Sequence, residues 1–495
     1  MSSSKEPSNE SRCGRSGPRM MHKAEMQTRA DNFSGNIASF LDNDNYKEIL
    51  LGLNSSFTSN EQMQIVGMTA LVQMTGKNNH YKNNAILSGI IKSEGGYIVV
   101  GAMQHYRVCA QLQILCLQMI NRLSLCTCDC EFLHDQHSWY INVILDAMHD
   151  LPKDITVQMH AVWCLTMLTT RLIFHHNDEQ NQYLRYRQEQ VNQVYGLKVA
   201  QASLREHFEH PNLFKNHVQQ INSEIQRNKE ISMLHDSIYI LLQGFADNEM
   251  NRARWKTIAG DDCIKIAVND MYISLDTGFR NVVSVPCAQS YGAFHHITFS
   301  ALKLLCALSL DTNCAKDMVD ASGPRFCATV GWKLEENEDV QLQVCSILNN
   351  VGSVPALWKD MISGGVIKLL ARNIQYTPSL ESRTHTSLAQ RQVCSLQIRK
   401  LAGMALHNIA LVDDEEDGYI QQAGGVQALM QLIKNRETYF DSVRQACSTL
   451  TVLGQQRKCN QEMRGVNFDY FLRKEIERNN LNTPCMTELY NSISH

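Results

Sequence analysis

The residues most capable of chemistry in this chain crowd into one short stretch, CTCDCEFLHDQH, which brings Cys126, Cys128, Cys130, His134 and His137 within twelve positions. Thiolate and imidazole are the usual ligands of zinc. The stretch is therefore either a small structural metal site in a loop between helical elements or a cysteine-bearing loop in a cysteine-rich chain. Its C-x-C-x-C spacing lacks the usual C-x-x-C pair, which favours the second reading. His175, His176, His207 and His210 read more simply as surface histidines than as ligands. No P-loop, dinucleotide-binding glycine motif, nucleophile elbow or H-E-x-x-H zinc motif is present. No catalytic residue, cofactor or resident metal is expected.

What must position these groups is a twelve-residue pattern that recurs along the chain. It starts at Met63 (MQIVGMTALVQM), Leu112 (LQILCLQMINRL), Val157 (VQMHAVWCLTML), Met233 (MLHDSIYILLQG), Ile297 (ITFSALKLLCAL), Val340 (VQLQVCSILNNV), Ile398 (IRKLAGMALHNI) and Ser442 (SVRQACSTLTVL). Position 5 is small in nearly every copy and position 9 is Leu or Ile. Positions 1, 5, 9 and 12 share one face of a 3.6-residue helix, so each copy predicts an amphipathic packing helix. Ahead of several copies stands a turn with Gly and then an apolar run: SEGGYIVVGAM (93–103), GDDCIKIAVNDM (260–271), ASGPRFCATV (321–330), SGGVIKLLARN (363–373) and AGGVQALMQLI (423–433). Glycine suits such a turn because it takes φ > 0 without a Cβ clash.

Composition narrows the partners. The chain has 495 residues and 46 Lys and Arg against 50 Asp and Glu, a net charge of −4, so broad phosphate-backbone binding is not expected and no nucleic acid partner is assigned. It is 44% hydrophobic without an apolar run of about 18 residues, which gives no transmembrane segment. Its 17 cysteines are odd in number and scattered, many at packing positions (Cys116, Cys164, Cys306, Cys345, Cys447), and no secretory signal precedes them. Reduced thiols in the cytoplasm, or in the nucleus, are expected.

Along the chain, residues 1–34 are Ser- and charge-rich and read as a disordered leader. Ser2 excludes the usual myristoylation signal. Tyr46–Leu53 is expected to cap the first repeat. The 168–232 segment is an insertion whose apolar residues (Leu184, Val191, Val194, Leu197, then Val218, Ile221, Ile225) predict helices interrupted at Pro211. It is either an elongated repeat or a partner-binding arm. Residues 277–296 and 374–397 read as polar loops, and Asp413–Asp417 as a solvated acidic end. Residues 461–476 form a terminal cap and 476–495 a fraying tail.

A short helix, a Gly-bearing turn, a second helix and a longer third helix, at periods near 40 to 47 residues, resemble an armadillo-repeat protein over residues 35–475. YIQQAGGVQALMQLI (419–433) and DNEMNRARWKTIAGDDCIKIAV (247–268) carry the resemblance well. It implies an all-α, right-handed armadillo-type α-solenoid of about eight repeats with inserted helices and loops. It also implies that third helices line a concave groove, with positions 4, 7 and 11 facing it. Importin-like adaptors of this superfamily carry Trp at position 7 and Asn at position 11 in consecutive repeats. Here Trp163 pairs with Met167, Asn350 with Ser346, Asn408 with Met404, and Asp236 is the acidic residue at position 4. A catenin-like groove would show a continuous cationic row, whereas this one offers Arg122 and Lys303. The expectation is a non-enzymatic scaffold or adaptor whose groove holds a peptide segment or protein partner through Trp163, Tyr239, Arg122, Lys303, Asn350 and Asn408. The alternatives are a nuclear transport cargo adaptor and a regulatory domain that senses a small molecule.

Overall fold

The computed structural model describes residues 33–494 apart from 34, 56–59, 77–79, 125–130, 170–187, 190, 192–195, 209–220, 261, 272–287, 358–360, 363–364, 378–387, 414–417, 436–439 and 479–482. Among the described residues every regular element is a helix. The chain divides into two compact units, Met1–Phe132 and Leu133–His495.

In the first unit, α1 (Tyr46–Ser55), α2 (Glu61–Thr75), α3 (His80–Lys92), α4 (Gly95–His105) and α5 (Ala110–Ser124) form the opening repeats. The two motif helices, α2 and α5, pack on one another, α1 covers α2, and α4 covers α5. In the second unit, α6 (Glu131–Asp150, nearly all of it in this unit) precedes α7 (Ile155–Thr169), α8 (Gly196–Phe208), α9 (Ile221–Ala246), α10 (263–271) and α11 (Ala288–Leu308). Then come α12 (Thr312–Asp320), α13 (Gly323–Lys333), α14 (Glu338–Gly352), α15 (Val366–Asn373), α16 (Leu388–Ala410), α17 (Tyr419–Gln422), α18 (Gly425–Lys434), α19 (Phe440–Gly454), α20 (Arg457–Gly465), α21 (Phe468–Glu477) and α22 (Thr483–Ser494). The motif helices stack in one row, α7 on α9, α9 on α11, α11 on α14, α14 on α16, α16 on α19, and α22 closes it. A second row runs beside it, α13 on α15 and α15 on α18, each helix also covering its own motif helix. Two parallel rows with neighbour-only contacts make a helical solenoid.

The stripe at positions 1, 5, 9 and 12 is buried in seven of the eight copies, for example Val340, Val344, Leu348 and Val351 on α14. Each such Leu, Ile or Val adds about 1.5–3 kcal/mol of burial. Three motif helices start on an Asn or Asp cap three residues before position 1. Asn60 accepts from the Met63 N–H at 3.1 Å, Asp154 from Val157 at 3.0 Å and Asn337 from Val340 at 3.1 Å. Position 2 carries a second recurrent bond. The buried amides of Gln64, Gln113, Gln158 and Gln341 donate to Leu53 O, Met103 O, Met148 O and Gly331 O at 2.7–2.9 Å. These carbonyls lie at the ends of the preceding helices, where the helix supplies no donor of its own.

The copy read from Met233 is out of register by one. Met233 is 46% exposed, while Leu234, Ile238, Leu242 and Phe245 form the buried stripe and His235 takes the place of the position-2 glutamine. Both 233 and 234 are apolar, so the period alone accepted either start.

Several segment boundaries also differ from the sequence expectation. Helix α16 begins at Leu388 and α11 at Ala288, inside stretches read as loops. Ser395 and Arg391 on α16 are buried, because Ser395 Oγ donates to Tyr376 O at 3.0 Å and Arg391 pairs with Glu338. The tail read as fraying holds α22, whose Met486, Leu489 and Ile493 are buried against α19 and α21. Asp413 is not a solvated end: its carboxylate accepts the N–H groups of Tyr419 and Ile420 at 3.4 and 3.3 Å, and its carbonyl accepts Gln456 Nε2 at 2.8 Å. In the 168–232 insertion, α8 packs on α9 and buries Leu197, and α9 runs unbroken from Ile221 into the motif. Leu184, Val194, Pro211 and Val218 lie outside the described residues, as do residues 1–32 and Asp414–Asp417.

The glycine turns show which glycine is needed. Positive φ falls on Glu94 (57°), Ser322 (60°) and Gly424 (78°), the residue before the second helix. The next residue is Gly95, Gly323 or Gly425, where an added Cβ would meet Ile90 O at 2.9 Å, Met318 O at 2.8 Å and Ile420 O at 3.0 Å. Close approach of backbone, more than left-handed φ, selects glycine here. Gly425→Ala is therefore expected to cost about 1–3 kcal/mol. Ser322→Gly relieves strain but loosens the unfolded chain, for a net change under about 1 kcal/mol. Urea unfolding of both variants tests this, and the opposite ranking would contradict it.

Candidate docking face

Positions 4, 7 and 11 of the motif helices lie beside the buried stripe, and the structure places most of them half-exposed. In the first unit these include Thr69, Gln73, Gln118 and Arg122. In the second, position 7 gives a row that crosses six consecutive helices: Trp163 on α7, Ile240 on α9 in the corrected register, Lys303 on α11, Ser346 on α14, Met404 on α16 and Ser448 on α19. Trp163 is 40% exposed, the largest aromatic surface in that row.

The six residues expected to hold a partner divide by what their side chains do. Tyr239 is corrected: it is 0% exposed and occupies position 6, which is buried in every copy. Its hydroxyl donates to Asp270 Oδ2, and His235 Nδ1 lies 3.0 Å from the same oxygen. Burial, followed by the Asp270 charge, pushes the Tyr239 phenol well above its usual pKa. None of the three is more than 5% exposed, so the His–Asp–Tyr group is a core network that ties α9 to α10 and not a surface acid–base site.

Three others turn toward a neighbouring repeat. The Arg122 guanidinium donates to Val72 O and, at 2.7 Å, to Thr75 Oγ1, at the end of α2. Burial lowers its pKa, and an arginine so placed stays charged at neutral pH. Asn350 Nδ2 donates to Ser309 Oγ at 2.9 Å, just past α11. Asn408 Nδ2 reaches Asn349 O and Oδ1 on α14, both at 3.5 Å. Position 11 thus bridges successive motif helices. Lys303 remains at the face, with Nζ 4.3 Å from the Phe299 ring centroid. Asp236, expected at the groove, falls at position 3 in the corrected register and accepts from Ser300 Oγ.

The face across α11, α14, α16 and α19 is mixed and largely uncharged: Lys303, Gln343, Ser346, Leu401, Met404 and Gln445. Such a surface offers amide hydrogen bonds and thioether contacts without a strong field. Met404 and Ile240 were not among the expected contacts. Met404 already stood at position 7 of its copy, and the corrected register adds Ile240.

Cys126, Cys128 and Cys130 lie outside the described residues, and His134 and His137 belong to the part of α6 whose side chains are not described, as do His175, His176, His207 and His210 in their own segments. Among the described residues no three His, Cys, Asp or Glu side chains converge to hold an ion, and no single helix is long and apolar enough to cross a membrane.

No protein-family model matches this chain, and no curated protein does. Similar solved structures include an engineered protein at 16% identity and TM-score 0.37, which spans 57% of this chain and 95% of that one. A beta-catenin structure, from work on a phosphorylation switch in its interaction with cadherin, spans 93% and 97% at 12% identity and TM-score 0.32. The karyopherin Kap121p, bound to the extreme C-terminus of the phosphatase Cdc14p, spans 90% of this chain and 48% of its own at 11% identity and TM-score 0.30.

Proposed function

We propose that this chain is a non-enzymatic helical-repeat scaffold that holds an extended peptide segment of a protein partner along the position-7 row of its second unit. One observation carries the reading: α7, α9, α11, α14, α16 and α19 stack consecutively and present half-exposed or exposed side chains at the same helical position. Packed helices stand about 8–10 Å apart and an extended chain advances about 3.3 Å per residue. A bound segment would therefore set one side chain on each helix about every third residue.

Trp163 is the aromatic anchor of this reading, Met404 the adaptable apolar contact, and Lys303 a cation already braced by Phe299. Gln343 and Gln445 supply amides for the peptide backbone. Asn350, Asn408 and, in the first unit, Arg122 act through the packing of repeats and only secondarily through a ligand. We place the protein in the cytoplasm or nucleus, in keeping with buried thiols at packing positions.

Met404→Arg and Trp163→Ala change half-exposed or exposed side chains and are expected to leave far-UV circular dichroism unchanged. Peptides selected from a displayed random library on the wild-type chain should bind each variant at least tenfold more weakly. Equal binding to wild type and both variants would refute the docking face. Selected peptides rich in Lys and Arg, with steep salt dependence, would instead support the transport-adaptor alternative.

A further inference from the structure

We propose that Cys447 and Cys485 form a reversible disulfide, made by reaction with a hydroperoxide, that locks α22 onto the end of the solenoid. Cys447 lies at position 6 of the last motif helix, α19, where it is buried. Cys485 lies in the first turn of α22 and is half-exposed. The two helices pack along one another, and the two thiols are hydrogen-bonded to each other. Neither is in a disulfide. The two sulfurs are thus neighbours across packed helices, and a disulfide requires them to close to about 2 Å.

The surroundings divide the labour between the two thiols. Cys485 receives the Cys447 S–H, the N–H groups of Met486 and of Cys485 itself at the start of α22, and the field of Arg444 one turn before Cys447. These donors hold it down to about 7, against burial, which acts the other way. The shared proton, burial and the nearby Glu488 push Cys447 upward, so it remains the thiol. The exposed partner is thus the nucleophile and the buried partner the resolving group. Cys109 and Cys394 are also half-exposed, but burial is the main influence on each and raises it.

The chemistry balances without any further reactant. The Cys485 thiolate attacks one oxygen of the hydroperoxide; the S–O bond forms, the O–O bond breaks, and the leaving hydroxide or alkoxide takes a proton from water. Cys447 then loses its proton and its sulfur attacks Cys485; the S–S bond forms, the S–O bond breaks, and water departs. Two electrons from the thiols have reduced the peroxide. A dithiol reductant reverses the bond.

The test treats the full chain with about one equivalent of hydrogen peroxide, alkylates the remaining thiols, and maps them by peptide mass spectrometry. The expected product is a peptide pair linked through Cys447 and Cys485 that dithiothreitol separates, while Cys109 and Cys394 are recovered alkylated. In a Cys447→Ala chain the sulfenic acid has no resolving partner, and dimedone should label Cys485 at least tenfold faster than Cys109 or Cys394. Labelling of all three at similar rates, or linkage of Cys485 to other cysteines, would overturn the proposal.

Discussion

Replacing Arg391 with Met is expected to destabilise the second unit by about 3–5 kcal/mol. Arg391 Nε lies 2.7 Å from Glu338 Oε1, and the two side chains are 7% and 6% exposed. Glu338 is the first residue of α14, where unpaired backbone N–H groups favour a carboxylate, and Arg391 reaches it from α16. The pair thus joins consecutive motif helices at their starts. Removing the guanidinium leaves a carboxylate buried without its cation, which costs far more than the pair contributes relative to an apolar replacement. The double variant Glu338→Leu, Arg391→Met should recover most of the loss. Denaturant unfolding of the two single variants and the double variant measures this. A double variant as unstable as either single one would show that the pair matters through something other than its buried charge.

The second large effect is expected at Gln341. Its side chain is fully buried; Nε2 donates to Gly331 O and Leu334 O at 2.7 and 2.9 Å, and Oε1 accepts from Asn373 Nδ2 and Arg372 at 2.9 and 3.1 Å. One amide therefore closes the end of α13 and links α14 to α15. Gln341→Met keeps the volume and removes every one of these bonds from a buried site, leaving Gly331 O to Arg372 and Leu334 O to the Asn337 N–H, at about 2–4 kcal/mol. Gln343→Met, two residues along the same helix and half-exposed, should stay within about 0.5 kcal/mol. Faster amide hydrogen exchange across 331–352 in Gln341→Met, and not in Gln343→Met, would locate the loss at this junction. Equal effects would refute the buried-amide account.

The architecture was legible in the sequence because the burial stripe repeats with little variation. Cys116, Ala161, Ala301, Ala402 and Ala446 mark the close packing position, and Leu or Ile stands four residues later. Register was less legible. Met233 and Leu234 are both apolar; the polar residue at position 2, His235 in place of Gln64, Gln113, Gln158 or Gln341, and Phe245 at position 12 favour the start at Leu234, while the small Ser237 at position 5 favours Met233. The position-2 signal was present and was masked because glutamine reads as a surface residue until its acceptors are known. Ser395 and Arg391 misled for the same reason: polar composition suggested a loop, whereas each is buried with a partner from another element.

The docking face was partly legible. Position 7 could be enumerated from the pattern, and Trp163, Lys303 and Met404 do stand half-exposed or exposed. What the pattern did not carry is the competition for side-chain groups. Asn350 and Asn408 in the second unit, and Arg122 in the first, spend their donors on the end of the previous repeat. Glycine at the inter-helix turn was anticipated for its φ, while the carbonyl 3.0 Å or less from the missing Cβ is a tertiary fact that no single segment reveals.

Site-specific photocrosslinking tests the central claim most directly. A benzophenone amino acid is placed at Met404 on the position-7 row and, separately, at the exposed Lys368 on α15, in the second helix row. Each chain is then irradiated with a library-selected peptide. The account predicts adducts from position 404 and few or none from 368, with the Met404 yield falling when unlabelled peptide is added in excess. Efficient, competable crosslinking from 368 with none from 404 would contradict it and move the partner to the other face of the repeats.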